Sequence, residues 1–338
     1  MKTFEKFEIK DLILKNRIVM PPMCMYSSDN SGFVKDFHKI HYATRALGGA
    51  GLIILEATAV IANGRISNRD LGIWDDGHVE GLKSVVDRIH EFDSKAGIQL
   101  AHAGRKSDSG DDYIVAPSPI AHSDRYEVPV ELESSDIKDL VGKFKEGSRR
   151  ALAAGFDAIE IHAAHGYLIH QFLSPITNKR VDQYGGSLEN RTRFLKEILG
   201  AIKEVWPKEK PIFVRFSATD YKEGGIDENE ILAIINEVKE YFDVAHISTG
   251  GLLDVPMKVF PGYQLSYAES IKSKCGIPTV AVGLIENFNQ IEEALSNNRA
   301  DLVALGRQLL RDPYTPLRMA YEQDMDVEFP IQYERAFR

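Results

Sequence analysis

The chain has 338 residues, 43% of them hydrophobic and 27% charged, with a net charge of −9. The length suits one large α/β barrel and the composition a well-filled core, while the acidic balance weighs against a nucleic-acid partner and against docking on anionic membrane. With two cysteines, Cys24 and Cys275, there are too few for an Fe–S cluster or a Cys-rich zinc site.

The first ten residues alternate charged and apolar and carry no signal-like apolar stretch. No apolar run reaches membrane-span length. A cytoplasmic setting is expected.

Along the chain a unit recurs: a short Val/Ile/Leu run, a polar or Gly-rich loop, then a stretch of helical periodicity. The runs fall at 17–20, 52–56, 97–100, 158–161, 212–216, 244–248, 279–282 and 302–305. Helices are predicted between them at 37–47, 78–94, 136–154, 188–205, 228–242, 267–274 and 288–296. Ser135 and Ser187 are placed to cap the third and fourth of these. Eight buried-looking strands alternating with helices predict a parallel sheet closed into a (β/α)8 TIM barrel, a single domain over 1–338. No G-x-G-x-x-G follows the first run, which weighs against a dinucleotide-binding sheet.

The active site of such a barrel lies at the C-terminal ends of the strands. There the sequence places Pro21 to Tyr26, then Glu56 and Ala57, Gln99 with His102, Arg105 and Lys106, the segment H-A-A-H-G-Y at 162–167, Arg215, Ser248 to Gly251, Gly283, and Gly306 with Arg307. Gly283 and Gly306 fall in the loops where this fold commonly holds phosphate. Glycine lets backbone N–H groups approach an anion, and Arg307 adds a charged clamp. Tight turns alone would also explain both glycines.

Gln99 offers a donor and an acceptor, and Arg215 a permanent charge, as the pyrimidine edge of a flavin requires. A buried amide, and an ion pair of Arg215 with Glu56 or Glu160, are the plain alternatives. If the chain turns helical after the fourth run, His162 and His165 face one way and can both donate to one oxygen, with Tyr167 behind them as a proton donor. A metal site with Glu160, or two satisfied core histidines, are the competing readings.

These strings resemble the Old Yellow Enzyme family, and within it the bacterial NADPH dehydrogenases that carry a cysteine beside the flavin. The resemblance runs through 14–20, 22–26, 97–106, 159–175, 182–187, 260–264 and 306–307 and so covers essentially the whole chain. It implies FMN, bound around Pro22, Met23 and Cys24 and by Ala57, Gln99, Arg215, Gly283, Gly306 and Arg307. Pro21 and Gly250, at the ends of the first and sixth runs, complete the candidate set.

The resemblance further implies NADPH as hydride donor and ping-pong reduction of the C=C bond of α,β-unsaturated carbonyl compounds through flavin N5. His162 and His165 would hold the substrate oxygen, Tyr167 would donate the proton, Tyr26 would contact substrate, and Cys24 would tune the flavin. Cys24 is otherwise read as an inert buried thiol. The tail, 325–338, is expected to dock on a neighbouring subunit of a homodimer or homotetramer and to offer Arg335 to its site. A solvated terminal arginine is the plain alternative.

Pro21 stands where relatives often have a small residue such as Ser, so any cofactor contact there must use its carbonyl. Other functions kept open are a non-catalytic flavin protein, a flavin-free lyase or aldolase using Lys106 as a Schiff-base nucleophile, and the dienoyl-CoA or amine chemistry of larger relatives.

Overall fold

The computed structural model describes residues 1–110 and 113–337. Its centre is a closed ring of parallel strands: β1 (Ile18–Met20), β2 (Leu52–Ala59), β3 (Lys95–Ala101), β4 (Ala158–Ala163), β5 (Ile212–Ser217), β6 (Val244–Ser248), β7 (Thr279–Ala281) and β8 (Leu302–Ala304). Each pairs with its sequence neighbours, and β8 closes on β1. This is the expected (β/α)8 barrel.

Strand side chains alternate between two faces. One set, including Ile53, Ile98, Ile159, Ile161, Val214 and Ile247, packs outward against the helices. The other, Val19, Leu52, Ile54, Ala158, Phe213, Val244, Val280 and Leu302, fills the lower barrel together with Phe7, Leu12 and Leu14. Those last three come from a short antiparallel hairpin, Phe7–Ile9 with Leu12–Leu14, which plugs the bottom and which the sequence reading missed. Each such side chain buried contributes about 1.5–3 kcal/mol.

The predicted helices are present, with ends shifted by a few residues. Ser187 caps its helix by accepting from the Asn190 N–H. Ser135 does not cap. The helix Ser134–Ala153 starts earlier, with Glu133 as N-cap and the Asp136 carboxylate accepting the Glu133 N–H at 2.9 Å. The carboxylate three residues on takes the N-cap amide itself, one half of a capping box. Three short helices were not foreseen: Leu168–Leu173, Gly306–Arg311 and Thr315–Glu322. Among the described residues no helix is long and apolar enough to cross a membrane.

Candidate active site

Above the apolar floor the inward positions turn polar. Register sets Gln99 beside Glu160, and Arg215 beside both His162 and His246. Period-two alternation then stacks His162 over Glu160, Ser217 over Arg215 and Ser248 over His246.

The lower tier is tightly bonded. Gln99 Nε2 donates to Glu160 Oε1 at 2.7 Å, and Glu160 Oε2 lies 2.7 Å from His246 Nδ1. Burial holds His246 below the ordinary imidazole range although Glu160 pulls the other way, so a neutral ring donates from Nδ1. Arg215 is almost enclosed, reaches the Pro22 carbonyl only at 3.5 Å, and keeps a sealed Nε without a hydrogen-bond partner among the described residues.

Glu56 does not join this tier. A bulge between Leu55 and Ala57 makes two steps on β2 match one on β3. The extra residue is re-aimed: Glu56 Oε1 meets His38 Nε2 at 3.1 Å, and Oε2 accepts the Met25 N–H. Ala57 takes the register position beside Gln99. Both Glu160 oxygens are likewise engaged, which leaves the pair His162 and His165 without the carboxylate that a metal reading required.

The segment after β4 differs from the expectation of a helical turn. His162 is still in the strand, and His165 sits at φ 57°, in the left-handed region, followed by Gly166 at φ 74°. The strand end and this turn bring the two imidazoles together, centroids 5.2 Å apart and perpendicular, with Tyr167 4.8 Å from His162. A non-glycine residue in that conformation costs about 1–3 kcal/mol, and the neighbours over-determine it. The His165 N–H donates to Ser217 Oγ at 2.9 Å, and Lys106 Nζ donates to the carbonyls of His165 (2.9 Å) and Gly251 (3.0 Å). The Gly166 N–H donates to His170 Nδ1 at 2.9 Å, while His170 Nε2 is 2.9 Å from Asp220.

Burial, then the Arg215 charge, hold both His162 and His165 well below the usual imidazole range. Burial raises the Tyr167 phenol well above its own. At neutral pH the group therefore consists of two neutral rings and a protonated phenol. Tyr26, at φ 50° and 44% exposed, stands at the mouth, its phenol pushed up to about 12 chiefly by burial. Burial likewise raises the Cys24 thiol, which pairs with Tyr26 and stays protonated. Lys106, lowered to about 8 by burial, lies 5.1 Å from the Tyr167 ring centroid.

Beside this group opens a cavity of about 150 Å³, lined among others by Arg215, Ser248, Gln264, Gly283, Gly306 and Arg307. Gly283, at φ 133°, is in a conformation that side-chain-bearing residues avoid. Gly306 opens its helix directly after β8, and a Cβ there would touch Met23 and Pro21. Arg307 is exposed. Arg215 Nε and Gln264 Oε1 are both sealed and without a hydrogen-bond partner among the described residues.

Unspent polar atoms, a glycine cradle and two guanidinium groups around one cavity fit a phosphorylated flavin. Of the residues expected from the sequence to hold it, Arg215, Gly283, Gly306 and Arg307 line the cavity, while Gln99 lies in the tier below with its Nε2 engaged by Glu160. Gly250 is placed differently: its N–H donates to Thr219 and its carbonyl accepts from Ser217. Arg335 lies exposed in the tail. Ser217, Ser248 and Gln264 received no role from the sequence. The sequence places Ser248 at this end of the barrel without a role; counting two residues on from Arg215 would have found Ser217 as well.

A sequence profile of the NADH:flavin oxidoreductase / NADH oxidase family matches residues 2–326. An NADPH dehydrogenase of Clostridium acetobutylicum is 56% identical over 338 residues, covering 100% of both chains. Among solved structures, an old yellow enzyme homologue from Zymomonas mobilis superposes with TM-score 0.82 at 28% identity, covering 98% of this chain and 96% of that one. A 2-naphthoyl-CoA reductase gives TM-score 0.90 at 27% identity, covering 95% of this chain. That protein is longer, and this chain spans 52% of it. With nearly its whole length matched and the barrel-end site in place, the chain belongs to the NADH:flavin oxidoreductase / NADH oxidase family, that of the Old Yellow Enzymes, and is an FMN-dependent oxidoreductase.

Proposed function

We propose that the protein reduces the C=C bond of α,β-unsaturated carbonyl compounds, enals and enones, at the expense of NADPH. The observation that carries this reading is the pair of neutral imidazoles, 5.2 Å apart, beside a protonated Tyr167 at the mouth of the barrel. The name of the Clostridium relative supports NADPH as the donor.

Bound FMN supplies the relay that accepts hydride from NADPH and gives it to the β-carbon. Gln99, Arg215, Gly283, Gly306 and Arg307 hold it, with Pro21, Pro22, Met23, Cys24 and Ala57 as backbone or van der Waals neighbours. Arg215 offsets negative charge at the flavin edge. His162 and His165 donate to the carbonyl oxygen and stabilise the charge it gains, and Tyr167 gives its proton to the α-carbon. Each role is worth roughly 10²–10⁴ in rate. Tyr26 bounds the substrate at the mouth, and the Cys24 thiol adjusts the flavin environment.

The tail belongs to the same proposal. Phe337 stacks on Phe329 at 4.3 Å and meets Tyr321, while Ile331 stays 80% exposed. A neighbouring copy in a cytoplasmic homodimer or homotetramer would cover this surface and receive Arg335.

Tyr167→Phe tests the chemistry. Stopped-flow bleaching of the flavin by NADPH should proceed at the wild-type rate, while return of colour with an enone slows about 10²–10⁴-fold. Equal slowing of both phases would remove Tyr167 as the proton donor.

A further inference from the structure

We propose that Ser248 is a positioning residue that dictates which nitrogen of His165 carries the proton, and so makes His165 a donor toward the substrate oxygen. The inference rests on the reading of His162 and His165 as the grip on that oxygen.

A neutral imidazole has one N–H, and the bond made by one nitrogen decides the role of the other. His162 is settled by its own backbone. Its Nδ1 accepts the Ala164 N–H at 3.3 Å, so the proton resides on Nε2. That atom has no protein partner among the described residues and is free to donate.

Among the described residues His165 has no such backbone contact at Nδ1. Its Nε2 lies 2.7 Å from Ser248 Oγ, and the distance alone leaves the direction open. The surroundings resolve it. Ser217, the register partner of Ser248, has its hydroxyl committed: it accepts the His165 N–H and donates to the Gly250 carbonyl at 2.8 Å. The Ser248 hydroxyl has a single partner among the described residues, His165 Nε2, and is 4% exposed.

If Nε2 carried the proton, the serine hydrogen would have no protein acceptor, and Nδ1 would present a lone pair to an oxygen already rich in electrons. Donation from Ser248 to Nε2 satisfies the hydroxyl and moves the ring proton to Nδ1. His162 Nε2–H and His165 Nδ1–H then form the donor pair. Ser248, which also lines the cavity, acts in this scheme through His165 and transfers no proton to substrate.

The test uses full-length protein labelled with 15N-histidine, as apoprotein and after FMN is added. Long-range 1H–15N correlation reports the tautomer of each ring, with His165 assigned by comparison with His165→Asn. Wild type should show Nδ1–H at His165. Ser248→Ala should convert it to Nε2–H or to a mixture, and Ser248→Thr, which keeps the hydroxyl, should restore Nδ1–H. The dissociation constant of 4-nitrophenolate, an oxyanion probe, should rise about tenfold in Ser248→Ala and stay near wild type in Ser248→Thr.

A wild-type ring protonated on Nε2, or Nδ1–H unchanged in Ser248→Ala, would overturn the proposal. Unaltered 4-nitrophenolate binding in His165→Ala would instead refute the grip on which it rests, whatever tautomer is found.

Discussion

Arg307→Gln separates the anion site from the fold. The guanidinium is exposed at the rim of the cavity, so its removal should leave stability within about 0.5 kcal/mol of wild type. Toward a phosphate it would make a charge-assisted hydrogen bond, worth about 1.5–3 kcal/mol. A tenfold change in affinity corresponds to about 1.4 kcal/mol, so the FMN dissociation constant should rise roughly 10- to 150-fold. Riboflavin has the same ring and no phosphate, and its affinity should change by no more than about two- to threefold.

The assay is quenching of flavin fluorescence on titration into apoprotein, with FMN and riboflavin run in parallel and thermal denaturation as a check on folding. Raised salt should weaken FMN binding less in the variant than in wild type. Equal losses for FMN and riboflavin, or unchanged FMN binding, would refute the assignment of Arg307 to phosphate.

Other predictions follow from the packing. A Cβ on Gly166 would lie 2.3 Å from the Gly251 carbonyl oxygen at a left-handed φ. Gly166→Ala should therefore cost about 2–4 kcal/mol and lower the melting temperature by several degrees, and a change under about a degree would contradict the close approach of these loops. His102 is buried and lowered to about 4 by burial. Its folded pKa is depressed, so its neutral form is fully compatible with the fold above about pH 6.5. Stability is then lost as pH falls toward 4, because the unfolded chain takes up the proton first. The loss is about 1.4 kcal/mol per pH unit, or about 3 kcal/mol in all. His102→Asn should flatten the urea-denaturation stability between pH 6.5 and 4 by that amount, and a slope equal to wild type would contradict it.

The barrel was legible because buried parallel strands read as short Val/Ile/Leu runs, and polar side chains gathered at one end of them. Gly283, Gly306 and Arg307 could be placed for the same reason. Glu56 could not. The bulge that turns it toward His38 depends on pairing with β3, which no local pattern reports. The left-handed His165 was also hidden, because its conformation is held by Ser217, Lys106 and His170 from other parts of the chain. The hairpin at Phe7–Leu14 escaped notice because its strands are only three residues each.

The central claim is tested by one spectrum followed through two additions. Purified protein should show the yellow absorbance of bound flavin, lose it with a stoichiometric amount of NADPH in the absence of oxygen, and regain it on addition of 2-cyclohexenone, with cyclohexanone formed in equal amount. Protein that bleaches and stays bleached in excess enone, or that bleaches and recovers without yielding cyclohexanone, would contradict the account.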